Sequence, residues 1–403
     1  MNILFYHHDE TCPTMGGIQR TTACIADGLT KTYGYQCFNI YDYENRYPAE
    51  VERYKYVESR HLPPNFSYET LAALIDVWKI DVVINQMSIE RHATLKAAVE
   101  KAKHPCKLIY CHHNTPRRLF NLDFRQRYMS FLHTPTVKGK IHQLARLVTF
   151  PISSRLENSR RLAINRSAYR RIYSEADKFI LLSRQFFQEW SELTEINPAP
   201  KLDAIPNMVS FEKYLSPEKI QCKEKRLLFV GRLSEFPKNV IGALDIWKKI
   251  TQLPDLAEWE FDIVGHGHDE KYLRNYAKRH KIPRVNFLGR QESDPFFAKS
   301  SVFIMTSIRE GWGMTLTEAM QNGCVPIAYE SFASVRDIID SGENGLLIPP
   351  FDSEVFAHQL TMLMRDQTRR EEMARNAIEK SKRFSKDRII GEWHRVLCEV
   401  TGK

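Results

Sequence analysis

Short apolar, β-branched runs alternate with amphipathic stretches along almost the whole chain. In the first half, Asn2–Tyr6, Gln36–Tyr41, Asp81–Asn85, Lys107–Cys111, Lys178–Leu182 and Leu202–Ile205 predict strands, with helices over Gly17–Thr30, Tyr68–Lys79 and Ile89–Lys101 between them. In the second half the strands are expected at Arg226–Val230, Glu260–Val264, Val285–Leu288, Val302–Met305, Val325–Ala328 and Gly345–Ile348. Helices are expected at Asn239–Thr251, Asp269–His280, Thr315–Gln321 and Val335–Asp340. Strands separated by helices of this length join as right-handed parallel crossovers. Two such series predict an α/β protein of two doubly wound, Rossmann-like domains, residues 1–206 and 207–384. The polar stretch Asn207–Lys225, which contains Pro217, separates them. Residues 385–403 read as a helix with no strand to follow, expected to pack back on the first domain.

Composition narrows the class. The 403 residues are 43% hydrophobic and 27% charged, which excludes disorder as the main state, and no apolar run approaches the roughly 18–20 residues that span a bilayer. The N-terminus has no basic region before a short apolar core and reads as a first strand, not a signal peptide. Eight cysteines include no Cys-x-x-Cys pair, as expected of a reduced, cytoplasmic protein.

Charge is local. The net is +9, yet residues 117–171 alone hold thirteen Lys and Arg against Asp123 and Glu157, and the rest of the chain is close to neutral. This stretch interrupts the first domain between two strands and is longer than a normal connection. It mixes Arg160, Arg161, Arg170 and Arg171 with Phe120, Phe124, Tyr128, Phe131, Leu144, Leu147 and Phe150. Cations among aromatics suit an anionic membrane surface or an anionic acceptor. They suit nucleic acid too, but nothing else in the chain reads as a nucleic-acid module, so none is expected. A solvated helical insertion is the plain alternative.

In open parallel sheets ligands bind beyond the carboxyl ends of the strands, and two such domains facing each other would enclose a cleft. The unusual residues fall at those ends. The first strand leads through His7-His8 to Gly16-Gly17, where a glycine pair at a helix start lets backbone approach an anion. Val264-Gly265-His266-Gly267 is a similar, individually weak signal. Gly231-Arg232 and Lys238-Asn239 place two cations six residues apart in one loop, the pair a departing diphosphate requires. The run Ser307-Ile308-Arg309-Glu310-Gly311-Trp312-Gly313-Met314-Thr315-Leu316-Thr317-Glu318 offers a carboxylate, bare amides at a positive helix end, and a second carboxylate. A nucleotide sugar presents sugar hydroxyls, phosphates and ribose hydroxyls in that order.

Together these segments, with Asn322-Gly323-Cys324-Val325-Pro326-Ile327, resemble the GT-B glycosyltransferases of family 4, the group 1 enzymes with an E-x7-E motif. The resemblance covers nearly all of the second domain. In the first it rests on the glycine pair and the strand pattern. It implies a retaining, metal-independent transfer from a nucleotide sugar, with a UDP-sugar the expected donor and a hexose or N-acetylhexosamine the group moved. The expected acceptor is a lipid-linked or cell-envelope polysaccharide, met by an enzyme peripheral to the inner face of the cell membrane. By resemblance Arg232 and Lys238 hold the diphosphate, with Gly16 and Gly17 approaching it from the first domain. Glu310 binds the donor sugar and Glu318 the ribose. Gly265, Gly313 and the amides of Met314 and Thr315 serve phosphates and sugar, and Arg290 frames the base. One of His112 and His113, in Cys111-His112-His113-Asn114, reaches the donor sugar. No cofactor and no metal are expected. A histidine metal cluster with His7-His8 is the weaker alternative. A nucleotide-sugar epimerase and a non-catalytic sugar-nucleotide-binding protein also remain open.

Overall fold

The computed structural model describes residues 1–10, 16–44, 57–116, 124, 128–129, 131, 134, 136–197 and 199–403. The expected Arg117, Arg118, Arg125, Arg127 and Phe120 of the basic stretch lie outside the described residues. Chain contacts divide into two compact units.

The first unit holds a parallel sheet of seven strands. They are β1 (Asn2–Asp9), β2 (Gln36–Tyr43), β3 (Glu58–His61), β4 (Val82–Gln86), β5 (Lys107–His112), β6 (Lys178–Leu181) and β7 (Leu202–Ala204). Their order is β3-β2-β1-β4-β5-β6-β7, so the winding reverses between β1 and β4. Helices cover both faces, which is why the central strands carry consecutive apolar residues, such as Ile3–Tyr6 and Val82–Ile84, and not alternate ones. Ile3, Phe5, Val82, Ile84 and Ile109 point to one face, where they meet Ile25 and Leu29 of the helix Gly17–Tyr33. Leu4, Tyr6, Val83 and Leu108 point to the other and meet Leu71, Ile75 and Leu95. The C-terminal helix Lys386–Thr401 belongs to this unit: Ile389, Ile390, Trp393 and Leu397 complete the first of those faces. Arg395 pairs with Asp203 at 2.9 Å and fixes it at the β7 end.

The second unit holds six parallel strands. These are β8 (Glu224–Val230), β9 (Glu260–Val264), β10 (Val285–Gly289), β11 (Ser300–Met305), β12 (Val325–Tyr329) and β13 (Leu346–Ile348), in the order β10-β9-β8-β11-β12-β13. The reversal lies between β8 and β11. Leu227, Phe229, Phe261, Ile263, Val302 and Ile304 build its core with Trp247 and Leu360.

The basic insertion does not stay with the first domain, as expected from its position in the chain. Its described residues between 124 and 160 cluster with the second unit, and only those from 161 onward with the first. Among them Met129 is buried, and Met129 and Tyr128 share the lining of a cavity of about 270 Å³ with Ile241, Tyr272, Tyr329 and Phe351 of the second unit.

Candidate functional site

The candidate residues form two groups, one at the carboxyl ends of each sheet.

In the second unit, the loops after β8 and β11 meet at the switch point. Backbone and side chains stitch them together: Ile308 N–H donates to the Pro237 carbonyl at 2.8 Å, Thr306 Oγ1 to the Asn239 carbonyl at 2.8 Å, and Asn239 Nδ2 to the Thr306 carbonyl at 3.1 Å. This brackets Lys238 and Glu310, which lie 72 residues apart in sequence, and Lys238 Nζ donates to Glu310 Oε1 at 2.6 Å. Ser307 Oγ donates to the same oxygen at 2.7 Å. Both charged side chains are mostly sequestered from solvent. Arg232 follows β8 on the exposed side and makes no ion pair among the described residues.

Glu310 leads into Gly313, whose φ of 87° is the left-handed conformation that glycine takes without strain, and whose carbonyl accepts from Leu316 N–H. Helix Met314–Gln321 begins there with no side-chain cap and no acidic residue in its first turn. Its N-terminus, at Met314 and Thr315, presents the positive end of the helix dipole, a setting that favours a negative charge. Glu318 is one turn further, on the face of Met314, and is buried, with Oε1 accepting from Ser210 Oγ at 2.6 Å. Ser334 Oγ, donating to the Gly311 carbonyl at 2.9 Å, holds the intervening loop.

Gly265 does structural work for the same site. Gly231 N–H donates to the Val264 carbonyl at 3.0 Å and Gly265 N–H to the Gly289 carbonyl at 2.8 Å, drawing the ends of β8, β9 and β10 together. A Cβ on Gly265 would lie 1.8 Å from the Gly231 carbonyl oxygen, and φ there is 142°. Gly265→Ala is therefore expected to cost about 1–3 kcal/mol of stability from the conformation alone. Moving Gly231 also displaces Arg232, so if Arg232 holds a nucleotide diphosphate, as the resemblance implies, nucleotide binding should weaken beyond what the loss of folded protein explains. Urea unfolding and calorimetry on the folded fraction check both. Arg290, after β10, is exposed.

In the first unit, Gly16 has φ 67° and begins the helix Gly17–Tyr33, again with no side-chain cap. The two candidate histidines at the carboxyl end of β5, His112 within it and His113 just after it, differ sharply. His112 is packed among rings, edge-on to Tyr169 at 5.3 Å, with Nε2 against the Thr115 carbonyl at 3.3 Å. His113 Nε2 instead pairs with Gln86 Oε1 at the end of β4. With Nε2–H donating there, Nδ1 carries the lone pair, and it has no hydrogen-bond partner among the described residues. Burial, with His7 and His112 as neighbouring cations-to-be, pushes the His113 pKa down to about 3, and burial does the same to His7. His7 Nε2 and Gln86 Nε2 are also buried without partners among the described residues. Neutral imidazoles and an amide donor thus gather at the ends of β1, β4 and β5, a set suited to hydroxyl groups. The sequence offered His7 only as part of the weaker metal-cluster alternative, and Gln86 escaped it altogether, since only the sheet order makes them neighbours of His113. Among the described residues no three His, Cys, Asp or Glu side chains are arranged to hold a metal.

Of the four arginines assigned to membrane or acceptor, Arg160, Arg170 and Arg171 are exposed and Arg161 is half-buried. Arg170 is engaged within the fold. Its Nε donates to the Thr194 carbonyl at 2.5 Å and its guanidinium pairs with Glu195. With Arg166 Nε on the Leu193 carbonyl at 2.8 Å, it closes the C-terminus of helix Phe186–Thr194, where a cation is favoured by the dipole.

Residues 210–380 match the sequence model of the family described as glycosyl transferases group 1. Over 208 residues the chain is 30% identical to a Campylobacter jejuni α-1,4-N-acetyl-D-galactosaminyltransferase acting on a diNAcBac-PP-undecaprenol-linked saccharide, covering 51% of this chain and 54% of that protein. It is 24% identical over 183 residues to the poly(glycerol-phosphate) α-glucosyltransferase of Bacillus subtilis, covering 45% of this chain and 27% of that one. The chain thus spans about half or less of the length of these two relatives. In fold it is similar to Anabaena Alr3699/HepE, solved in complex with UDP-glucose, with TM-score 0.71 and 18% identity over 99% of this chain and 100% of that one.

Proposed function

We propose that this chain, a GT-B glycosyltransferase of group 1 and family 4, moves a hexose or N-acetylhexosamine, with retention at the anomeric carbon, from a UDP-sugar to a lipid-linked or cell-envelope polysaccharide acceptor. The observation that carries the reading is the Lys238–Glu310 pair, a cation and a carboxylate held at the switch point beside an uncapped helix N-terminus. The acceptors of the Campylobacter and Bacillus relatives, a lipid-linked saccharide and a glycerol-phosphate polymer, support the acceptor class.

In this reading the donor diphosphate draws Lys238 away from Glu310. Ser307 keeps the carboxylate in place, and its second lobe of acceptor capacity turns to the sugar hydroxyls. Arg232, Lys238 and the amides of Met314 and Thr315 neutralise the charge that grows on the leaving diphosphate as the glycosidic C–O bond loosens. Glu318 takes the ribose hydroxyls and Arg290 frames the base. The carboxylate of Glu310 faces the positive charge that develops on the ring. The departing phosphate oxygen accepts the acceptor's proton, and attack occurs on the same face. Gly16, Gly17, His113 and the packed His112 serve the sugar and acceptor end. No metal is needed, because cations and a helix dipole supply the neutralisation. The enzyme works in the cytoplasm against the inner face of the cell membrane, with Arg160, Arg161 and Arg171 toward anionic headgroups.

A panel of nucleotide sugars, with and without membrane lipid extract and with excess chelator, tests this. Nucleotide diphosphate release that depends on the extract and survives chelation is expected. Sugar interconversion without nucleotide release would establish an epimerase, and tight binding without turnover a silent binding protein. Loss on chelation, restored by a divalent ion, would overturn metal independence.

A further inference from the structure

One element of the fold has no part in that chemistry. Helix Val137–Val148, in the basic insertion, has a proper N-cap, with Thr136 Oγ1 accepting from Gly139 N–H at 3.1 Å, yet not one of its twelve residues is buried. Its apolar residues are not scattered. At about 100° per residue, Val137, Ile141, Leu144 and Val148 fall within an arc of roughly 60°. They are 77, 65, 51 and 74% exposed. A helix of this length is marginal in water without a packed face, so a continuous apolar stripe left to solvent marks a surface made to be covered.

Charge identifies the cover. On the same wheel the exposed Lys138 and Lys140 stand on either side of the stripe, and Arg146 and His142 lie toward the opposite face. Arg146 pairs with Glu157 at 3.8 Å. Residues 137–171 hold nine Lys and Arg and no acid except Glu157. The helix that follows, Phe150–Glu175, shows Leu156 at 73% exposure next to Arg155 and one turn from Arg160. Apolar side chains in a narrow band, with lysines at its edges whose stems can lie along the acyl boundary while their ammonium groups reach phosphate, form the pattern of a helix lying in a membrane interface. Among the described residues no helix is long and apolar enough to cross a bilayer, so contact of this kind lies in the plane.

We infer that helix Val137–Val148 lays the stripe Val137, Ile141, Leu144 and Val148 into the surface of an anionic lipid bilayer, with Lys138 and Lys140 on the headgroups. This rests on the membrane-proximal acceptor proposed above and names the face that meets the lipid. It also moves the docking site from the arginine cluster, of which Arg170 is engaged elsewhere, to an apolar helix that the cations steer.

The test is co-sedimentation of the full chain with phosphatidylglycerol/phosphatidylcholine vesicles and with phosphatidylcholine vesicles alone. Three proteins are compared: wild type, Ile141→Ser/Leu144→Ser, and Lys138→Gln/Lys140→Gln. Because the four substituted side chains are all exposed, all three proteins should keep their thermal transition. Wild type should bind the anionic vesicles. The serine variant should lose about tenfold or more in partitioning at any salt concentration, while the glutamine variant should lose binding mainly at low salt. An Ile141→Trp variant should shift its emission to the blue on addition of anionic vesicles, beyond any shift of wild type. Undiminished binding by the serine variant, or an emission spectrum of the Ile141→Trp variant that the vesicles leave unmoved, would overturn the inference. So would self-association of wild type without lipid that the serine variant abolishes, since a second copy would then cover the stripe. Nucleotide diphosphate release with a short soluble acceptor, measured on the same proteins, separates the two levels: its absence in wild type defeats the proposed activity, and its equality across the variants leaves the lipid result to decide the inference alone.

Discussion

Lys238→Ala is expected to lower kcat by about 10²–10³ while the fold is retained, because one preorganised donor to developing charge is worth about 3–4 kcal/mol in a site shielded from water. Lys238 is preorganised by its setting. The backbone on both sides is tied to the β11 loop through Pro237, Asn239 and Thr306, and its ammonium is held 2.6 Å from Glu310. The variant removes the cation and leaves the Glu310 carboxylate facing an incoming diphosphate, so donor KM should rise as well. Arg232→Ala should act in the same direction but less on KM, since Arg232 is exposed and its loss strands no carboxylate. Steady-state nucleotide release with a melting curve measures both. The double variant Lys238→Ala/Glu310→Ala separates two roles. If Lys238 served only to place Glu310, the double variant would match Glu310→Ala. If Lys238 acts on the diphosphate, it is slower still. Wild-type kcat in Lys238→Ala would remove the diphosphate assignment altogether.

Most of this architecture was legible from periodicity. Every expected strand is present within a few residues, because strands covered on both faces are continuous apolar runs that nothing else in the chain imitates. The strand that escaped, β3, reads Glu58-Ser59-Arg60-His61. It is an edge strand held by backbone pairing to Phe38–Tyr41, and its mostly exposed side chains give no apolar signal. The motif residues of the second domain were legible as residue types at strand ends. Their pairing was not: Lys238 and Glu310 belong to loops that become neighbours only because β8 lies beside β11. The same holds for His113 and Gln86, neighbours through β4 and β5. The insertion was misplaced for a complementary reason. Chain position put it in the first domain, whereas its described residues up to 160 make their contacts with the second, where Tyr128 and Met129 line a cavity shared with that unit. Its apolar stripe is written in the spacing 137, 141, 144 and 148, but the arginines and aromatics around it are the stronger compositional signal.

The two glutamates of the E-x7-E motif should separate in opposite directions when UDP alone is titrated into the protein. Glu318 is buried, one turn into helix Met314–Gln321, and a carboxylate hydrogen-bonded to ribose hydroxyls contributes about 1.5–3 kcal/mol. Glu318→Gln should therefore weaken UDP binding by about tenfold or more. Because Glu318 also holds Ser210, a melting curve is needed alongside, and Ser210→Ala serves as the control for that contact. Glu310→Ala has the other sign. In the free protein Glu310 occupies the ammonium of Lys238, so the diphosphate must compete with it. Removing that carboxylate releases Lys238, and UDP should bind as tightly as in wild type or more tightly. Transfer should nevertheless collapse if Glu310 serves the donor sugar as proposed, since the sugar would lose its carboxylate partner and the ring its counter-charge. The gain in UDP affinity should shrink at high salt, because it is a charge effect at a partly exposed group. Isothermal calorimetry with UDP, run beside turnover, reads all of this. Equal weakening in the two variants would mean that both carboxylates serve the nucleotide, and a loss of UDP affinity in Glu310→Ala would mean that the ion pair positions Lys238 rather than withholding it.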